Sequence, residues 1–353
     1  MREKYIKALI VDDSMLFREV LSKFVNEDKA IDVIATASDP YDARDKIVQL
    51  RPNVMTLDIE MPRMDGIRFL KKLIPQYPIP VVVVTSLPIN AFEALDAGAV
   101  DFVKKPVVKS PDDLKNFAIE LREKIRIASS SKVFVPKTPD VAALAKQYDK
   151  VSTSSTEIIA IGASTGGPEA IATVIKDLPV EVPPIVITQH MPPKFTEMFA
   201  QRLDRISNIE VREARDGDRL KPGLALVAAG EYHMRVHKDY RGYYISSERG
   251  EKVSGHCPSV DVLFSSVAET AKDKAIGVIL TGMGADGAKG LYEMKKAGAY
   301  TIGQDADSCV VYGMPKVAFN IGAVKKQRPL DQIDDEIIRS LRKNKQSEEN
   351  GYE

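Results

Sequence analysis

Short apolar runs alternate with amphipathic stretches along most of this chain, and this alternation restricts its fold more than any other feature. In the first part of the chain the runs are KALIVDD, DVIATAS, VMTLDIE, PVVVVTS and DFVKKP. The stretches between them, such as SMLFREVLSKFVNED, carry apolar residues at intervals of three and four. Apolar runs of strand length, separated by helical periodicity, predict a parallel β-sheet with helices on both faces.

One interruption of this alternation divides the chain. Residues 126–155 mix Ser, Thr, Pro and Lys, with one helical candidate at VAALAKQY, and we predict a linker. Alternation resumes with EIIAIGAS, PIVITQH, GLALVAA, AIGVILTG and AYTIGQD, and EYHMRVHKDYRGYYISS has the pattern of a β-hairpin. We therefore predict an α/β chain: a doubly wound, flavodoxin-like domain at residues 1–125 and a mostly parallel α/β domain with a β-hairpin at residues 156–343. The polar residues 344–353 are predicted to be a disordered tail.

Charge and cysteine content exclude several classes of protein. Lys plus Arg and Asp plus Glu are 50 each, so neither nucleic acid nor an anionic membrane is expected as a partner. No stretch approaches the ~20 apolar residues of a membrane span. The two cysteines, Cys257 and Cys309, lack the signatures of thiol catalysis and fit a reducing compartment. We expect a cytoplasmic monomer that binds no nucleic acid and does not insert into a membrane.

Charged and hydroxyl side chains follow four of the predicted strands of the first domain. Asp12 and Asp13 end the first strand, Asp58 the third, Thr85 the fourth and Lys105 the fifth. The carboxyl ends of parallel strands meet at one edge of a sheet, so we expect these groups to converge. Three carboxylates repel one another unless a cation lies between them, and Mg²⁺ accepts carboxylate ligands while leaving positions for a phosphoryl group. A carboxylate beside Mg²⁺ can itself accept a phosphoryl group.

Two glycine-rich turns in the second domain allow more than one interpretation. The first, around Ser164, matches the G-x-S-x-G strand-to-helix turn that exposes a nucleophilic serine, although similar turns also bind phosphate without chemistry. The second, TGMGADG at residues 281–287, matches the G-x-G-x-x-G fingerprint of dinucleotide-binding loops. Asp305, about 20 residues further on, lies where a ribose-binding acid is expected. Asp286 weakens that interpretation because it adds negative charge beside a pyrophosphate.

A nucleophilic serine requires a base, and the chain has four histidines. His190 ends the strand that follows Ser164 and is the first candidate, while His256, in the loop GHCPSVD, is the second. His233 and His237 have a spacing that would suggest zinc on a helix. On an extended strand they lie about 13 Å apart, and no third ligand is evident.

Ser164, His190 and Asp286 all follow strands of one predicted sheet, so a single crevice can hold them. Asp286 can accept the proton on the far nitrogen of His190 and fix its tautomer. This set favours a serine hydrolase. Two alternatives stay open: a binding module without activity, and a dinucleotide enzyme built on the glycine-rich loop.

The first domain resembles the receiver domain of bacterial two-component response regulators, through VDDS, LDIEMPRMDG, VVVVTS and AGAVDFVKKP over nearly all of residues 4–125. The resemblance implies that a histidine kinase phosphorylates Asp58. It also implies Mg²⁺ on Asp13, Asp58 and the main-chain carbonyl of Glu60. Residues implied to take part in switching are Asp12, Thr85, Phe102 and Lys105.

The second domain resembles the catalytic domain of the chemotaxis protein-glutamate methylesterases over residues 157–340. The motifs are IGASTGGPEA, ITQHMPPKFT, GHCPSVDVLFSSVA, ILTGMGADGAKGL and GQDADSCVVYGMPKVA. The resemblance implies a triad of Ser164, His190 and Asp286, with Thr165 and the amide of Met283 around the oxyanion, and no cofactor for the esterase. It implies demethylation of glutamate γ-esters on chemoreceptors, deamidation of receptor glutamines, and a receiver that covers the active site until it is phosphorylated.

Overall fold

The computed structural model describes residues 5–61, 65–135, 146 and 156–349. The chain divides into two compact units, Met1–Asp140 and Val141–Glu353. The greater part of the predicted linker lies outside the described residues, as does all of its helical candidate except Lys146. No helix within the described residues combines the length and the apolar character needed to cross a lipid bilayer.

In its described residues, the first unit is a five-stranded sheet with five helices. The strands are β1 (Ile6–Val11), β2 (Ile31–Ala37), β3 (Val54–Asp58), β4 (Val81–Thr85) and β5 (Asp101–Lys104). The helices are α1 (Met15–Asn26), α2 (Pro40–Leu50), α3 (Gly66–Leu73), α4 (Pro88–Asp96) and α5 (Pro111–Ser129). All strands are parallel, in the order β2-β1-β3-β4-β5. This is the order of a flavodoxin-like doubly wound sheet, and it confirms the predicted fold class.

Local sequence explains why these elements form where they do. Every residue of β3 and β4 is buried, as expected for strands covered by helices on both faces. Ser14 caps α1 by accepting a hydrogen bond from the amide of Phe17, and Asp39 caps α2 in the same way. These caps begin the helices directly after β1 and β2, so the strand-end residues lie in short, ordered loops.

The second unit contains a seven-stranded sheet, a separate hairpin and six α-helices in its described part. The sheet strands are β6 (Ile158–Ala163), β7 (Ile185–Gln189), β8 (Glu210–Glu213), β9 (Leu224–Val227), β12 (Ala275–Ile279), β13 (Tyr300–Gln304) and β14 (Lys326–Arg328). The predicted hairpin is confirmed as β10 (Tyr232–Asp239) and β11 (Gly242–Arg249), paired antiparallel. The helices are α6 (Gly167–Ile175), α7 (Phe195–Ile206), α8 (Val260–Thr270), α9 (Ala288–Lys296), α10 (Met314–Asn320) and α11 (Ile333–Glu349).

The sheet order of the second unit determines where a site can form. The order is β14-β13-β12-β6-β7-β9-β8, with every pair parallel. The connection from β6 leads to β7 on one side, whereas the connection from β12 leads to β13 on the other. With right-handed crossovers, α6 and α9 therefore lie on opposite faces of the sheet. The reversal opens a crevice at the carboxyl ends of β6 and β12, where ligands bind in open α/β sheets.

The structure differs from the expectation at the edges of the second sheet and near its C-terminal end. The edge strands β8 and β14 were not predicted, because EVRE and KQR are short and largely charged. Helix α11 continues to Glu349, into the segment predicted as a tail, while residues 350–353 lie outside the described residues.

The hairpin joins the core of the second unit through α8. Met234 and Val236 on β10 and Ile245 on β11 are buried, and they belong to one apolar cluster with Phe264 and Val267 of α8. The loop that leads from β11 to α8 is therefore held between two packed elements.

Glu157, directly before β6, connects the start of that strand to the hairpin through hydrogen bonds. Its carboxylate accepts hydrogen bonds from Lys238 Nζ at 2.8 Å, the Tyr243 hydroxyl at 2.6 Å and Lys274 Nζ at 2.6 Å. Burial alone raises the pKa of Glu157, but these three donors outweigh burial and lower the pKa to about 2. A group whose pKa falls on folding stabilises the folded state at neutral pH.

Glu157→Gln is expected to lower the free energy of unfolding by about 1–2 kcal/mol at pH 7, a value reduced because the side chain is partly exposed. The folded pKa lies below the ordinary value of 4.5, so the stabilisation is complete above pH 4.5 and is lost between about 4.5 and 2. Calorimetry of the full chain at pH 7 and pH 3 measures the difference in stability between Glu157→Gln and the wild type. Glu248→Gln, at an exposed position of β11, is the matched control. A difference between Glu157→Gln and the wild type that stays constant with pH would contradict the prediction.

Candidate active site

Three carboxylates collect at the carboxyl ends of β1 and β3, the switch point of the first sheet. One carboxylate oxygen from each of Asp12, Asp13 and Asp58 lies within 4.8 Å of the others. Asp12 and Asp58 are buried, whereas Asp13 is exposed. Lys105 follows β5, and its Nζ lies 2.5 Å from Asp58 Oδ2 and 2.9 Å from Asp12 Oδ2. Four of the five residues predicted to converge, Asp12, Asp13, Asp58 and Lys105, lie together here.

Burial and ion pairing act in opposite directions on this cluster. Burial raises the pKa of Asp12, and the hydrogen bond and charge of Lys105 reduce that rise without cancelling it. Burial by itself lowers the pKa of Lys105, but its hydrogen bonds to Asp58 and Asp12 outweigh burial and raise the pKa. Three carboxylates beside one cation leave an excess of acceptor oxygens. This donor set fits a hard divalent cation such as Mg²⁺.

The other predicted residues of the first domain lie around the cluster. The amide of Glu60 donates to Asp58 Oδ1 at 2.9 Å. Thr85 is fully buried at the end of β4, and its carbonyl accepts the amide of Lys105 at 2.9 Å. Phe102 is buried within β5. Backbone hydrogen bonds thus connect the end of β4 to the lysine that contacts Asp58.

Ser164 lies in the turn between β6 and α6, and its backbone is held from two sides. Its amide donates to the carbonyl of Thr281, after β12, at 3.0 Å, and its carbonyl accepts the amide of Gly167 at 2.7 Å. The residue is only 8% exposed. Because it precedes the N-terminus of α6, the aligned peptide dipoles of that helix favour negative charge nearby.

His190, directly after β7, hydrogen-bonds to both of the other predicted residues. Its Nδ1 lies 3.1 Å from Ser164 Oγ, and its Nε2 lies 2.7 Å from Asp286 Oδ2. An ionised carboxylate can only accept a hydrogen bond, so Nε2 carries the proton and Nδ1 presents its lone pair to the serine hydroxyl. A hydroxyl, a base and an orienting acid in this order can perform nucleophilic catalysis.

Asp286 is held by the N-terminus of α8 as well as by His190. Its Oδ1 accepts the Ser259 hydroxyl at 2.8 Å and the Asp261 amide at 3.0 Å, and its Oδ2 accepts the Val260 amide at 2.7 Å. Burial alone raises the pKa of Asp286. The hydrogen bond and charge of His190 and the amides of α8 outweigh burial and lower the pKa to about 2. Asp286 is therefore an anion at neutral pH.

The glycine-rich loop at residues 281–287 packs closely against the serine turn. A Cβ atom on Gly282 would lie 2.7 Å from Ser164 Cβ, which only glycine avoids. The carboxylate of Asp286 is occupied by the contacts described above, and Asp305 hydrogen-bonds within its own turn. These contacts favour the acid role of Asp286 over a dinucleotide-binding loop.

The two residues implied for the oxyanion lie on either side of this turn. Thr165 follows Ser164 and is 2% exposed, and its carbonyl accepts the Thr281 hydroxyl at 3.0 Å. Met283 has a half-exposed side chain. Within the described part of the chain, the Met283 amide donates no hydrogen bond.

The three remaining histidines have other contacts. His233 and His237 lie on β10, where their ring nitrogens hydrogen-bond to a backbone carbonyl and a serine hydroxyl. Neither joins a group of three metal-ligating side chains among the described residues. His256, the second candidate for the base, stacks on the ring of His190. His190, the first candidate, is the histidine that hydrogen-bonds to Ser164.

Comparison with known families agrees with both halves of this description. The model of the response regulator receiver domain matches residues 8–118, and the model of the CheB methylesterase matches residues 159–337. The chain belongs to the CheB methylesterase family.

Full-length relatives and a solved domain support this membership. A protein-glutamate methylesterase/protein-glutamine glutaminase of Syntrophomonas wolfei is 52% identical, over 97% of this chain and 99% of the relative. One of Syntrophotalea carbinolica is 48% identical, over 95% of this chain and 97% of the relative. The crystal structure of the Thermotoga maritima CheB methylesterase catalytic domain is 39% identical, with a TM-score of 0.51, and covers 52% of this chain and 98% of that domain.

Two residues in contact with the site were not predicted. Ser259 donates to Asp286 and caps α8; a serine directly before the apolar run VDVLF is a sequence signal that could have identified it. Gln189 is buried, and its Nε2 donates to the carbonyls of Ser164 at 2.9 Å and His190 at 3.1 Å. A glutamine at a strand end carries no comparable signal.

Proposed function

We propose that this chain is a protein-glutamate methylesterase and protein-glutamine deamidase that acts on chemoreceptors and is activated by phosphorylation. The observation that carries the proposal is the pair of hydrogen bonds that links Ser164, His190 and Asp286. The names of the full-length relatives give the same two activities, a protein-glutamate methylesterase and a protein-glutamine glutaminase.

The reaction begins with attack by Ser164 Oγ on the γ-carbonyl of a methylated glutamate. His190 Nδ1 takes the hydroxyl proton, and the Nε2 proton stays in the hydrogen bond to Asp286. General base catalysis of this kind contributes about 10²–10⁴-fold to the rate. Asp286 stabilises the imidazolium by its charge and remains ionised, since its pKa of about 2 lies far below neutral pH.

The tetrahedral intermediate carries its negative charge next to the turn that holds Thr165 and the amide of Met283. An oxyanion donor of this kind is worth roughly 3 kcal/mol. His190 then gives its proton to the departing methanol, and an acyl-enzyme remains on Ser164. Water attacks the acyl-enzyme with His190 again as base, which releases the glutamate carboxylate. Ammonia replaces methanol as leaving group when the substrate is a glutamine.

The first domain regulates this reaction through Asp58, which accepts a phosphoryl group from a histidine kinase. Asp13, Asp58 and the carbonyl of Glu60 would hold Mg²⁺, which when bound neutralises the charge on the phosphoryl oxygens. Lys105 pairs with the phosphoryl group, and Thr85 and Phe102 change position in response. The esterase residues themselves require no cofactor.

Methanol release from methylated chemoreceptor membranes tests the proposal. We expect methanol release by the full chain, and an increase of about tenfold or more when a small-molecule phosphodonor and Mg²⁺ are added. A shift of ~1.4 kcal/mol between a less active and a more active state gives a tenfold increase. Release that does not respond to the phosphodonor would remove the regulatory part of the proposal. No release by folded protein would favour a binding module without activity.

Asp58→Asn is expected to abolish phosphoryl incorporation and to leave methanol release at its basal level with phosphodonor present. The amide cannot form the acyl phosphate that the carboxylate forms. Phosphate-affinity electrophoresis measures the modification. Asp32→Asn, at an exposed position of β2, is the matched control and should behave as wild type. Incorporation that persists in Asp58→Asn would show that another residue is the acceptor.

A further inference from the structure

The loop between β11 and α8, here called the strap (residues 250–259), contacts the site at two points. Ser259, its last residue, donates to Asp286. His256 stacks its ring on the ring of His190, with centroids 3.6 Å apart and planes inclined by 9°. The strap therefore contacts both His190 and Asp286, the base and the acid that act on Ser164.

Local geometry places His256 independently of any substrate. Val253 and His256 exchange backbone hydrogen bonds of 3.0 and 2.9 Å across a two-residue turn. Ser254 and Gly255 occupy the turn with φ of 52° and 86°, and positive φ at both central residues is what a type I′ turn requires. The Ser254 hydroxyl also donates to Asp261 Oδ2 at 3.0 Å.

A buried histidine fixes both ends of the strap. His233 Nε2 lies 2.8 Å from the carbonyl of Glu251, and the Ser259 amide donates to His233 Nδ1 at 3.3 Å. His233 is 6% exposed on β10, which packs against α8. Both ends of the strap are thus attached to the core of the unit through His233.

The two hydrogen bonds of His190 leave one motion poorly restrained. They join its two ring nitrogens to Ser164 and Asp286, and the lone pair and the N–H of an imidazole lie in the plane of the ring. The ring can rock about the line through these nitrogens at little initial cost to either bond. A second ring stacked on its face opposes that rocking and excludes water from that side.

We propose that His256 is a positioning residue, which holds the imidazole of His190 in the plane that serves both Ser164 and Asp286. The inference rests on the proposed function, because it assigns His256 a part in the same esterase reaction.

Replacement of His256 by alanine and by phenylalanine tests this role. His256→Ala removes the stacked ring, and we expect kcat for methanol release to fall roughly tenfold to a hundredfold, the scale of a misplaced catalytic group, with KM nearly unchanged. His256→Phe keeps a flat ring without ring nitrogens, and kcat should stay close to that of wild type. His237→Ala is the matched control, since His237 stacks on Tyr244 within the hairpin, and its kcat should not change.

A spectroscopic measurement separates positioning from loss of fold and from failure of the esterase proposal. The proton between His190 Nε2 and Asp286 gives a far-downfield NMR resonance while the ring is held. This resonance should broaden or vanish in His256→Ala and remain in His256→Phe and His237→Ala. The NMR test stands even if wild-type protein releases no methanol, a result that would reject only the proposed function.

Two results would overturn the positioning role. One is a His256→Ala variant with wild-type kcat and an unchanged resonance, which would mean that the stack restrains nothing. The other is an equal loss of kcat in His256→Phe and His256→Ala, which would mean that the ring nitrogens of His256, rather than its stacked face, contribute to the reaction.

Discussion

Ser164→Ala is expected to reduce methanol release by roughly 10⁴-fold or more, because removal of a triad serine leaves only binding and oxyanion stabilisation. The variant should fold normally, since the backbone hydrogen bonds of Ser164 to Thr281 and Gly167 do not involve the side chain. Methanol release is measured on methylated receptor membranes with phosphodonor present, so that the wild type is compared in its activated state.

A serine-directed fluorophosphonate probe gives a second readout that needs no receptor. Wild-type protein should be labelled at Ser164 and the alanine variant should not. Ser207→Ala is the matched control: this hydroxyl, at the end of α7, donates to a backbone carbonyl, and its loss should leave both readouts unchanged. Substantial methanol release by Ser164→Ala would reject Ser164 as the nucleophile.

Asp286→Asn is expected to lower kcat by about 10⁴-fold, the scale of the corresponding change in other triads. An amide nitrogen facing His190 Nε2 would oppose the tautomer that presents a lone pair to Ser164. The same change removes charge from the N-terminus of α8, where the carboxylate accepts three hydrogen bonds. We therefore also expect a loss of about 1–3 kcal/mol in the free energy of unfolding.

Asp261→Asn separates the two effects of Asp286→Asn. Asp261 is a carboxylate at the same helix end, and it accepts the amide of Gly290 at 2.9 Å. Its replacement removes a charge from the same helix end, and little loss of stability is expected because burial and the charge of Asp286 raise the pKa of Asp261. The value of kcat should stay within a few-fold of wild type. The kcat for methanol release and the free energy of unfolding in urea are measured for both variants. A similar fall in kcat for both would mean that Asp286 acts through the helix rather than through His190.

Periodicity was sufficient to predict most of the fold, for a physical reason. The strands of both sheets are nearly continuous apolar runs such as VVVVT and AIGVI, all of whose residues are buried, and a strand covered on both faces leaves that signal. The strands that were missed, β8 and β14, lie at sheet edges. Both are short, partly exposed and largely charged, so their composition does not distinguish them from loops.

The site was predictable only where its residues follow strands. Ser164, His190 and Asp286 could be placed together because the carboxyl ends of parallel strands share one edge of the sheet. The contact of His256 with His190 was not predictable, because it depends on the turn at Ser254 and Gly255, and loop conformation leaves no periodic signal. His256 was considered as a base, and the structure instead shows it stacked on the ring of His190.

The position of β12 between β6 and β13 has a consequence for synthesis of the protein. β6 pairs with β7 on one side, and with β12 on the other. A chain emerging from the ribosome can therefore assemble β6 and β7 early, but one edge of β6 stays unpaired until residues 275–279 have been made. Unpaired edges invite association with other chains. During that interval Asp286 has not yet been synthesised, and the turn that carries Ser164 lacks its hydrogen bond to the carbonyl of Thr281.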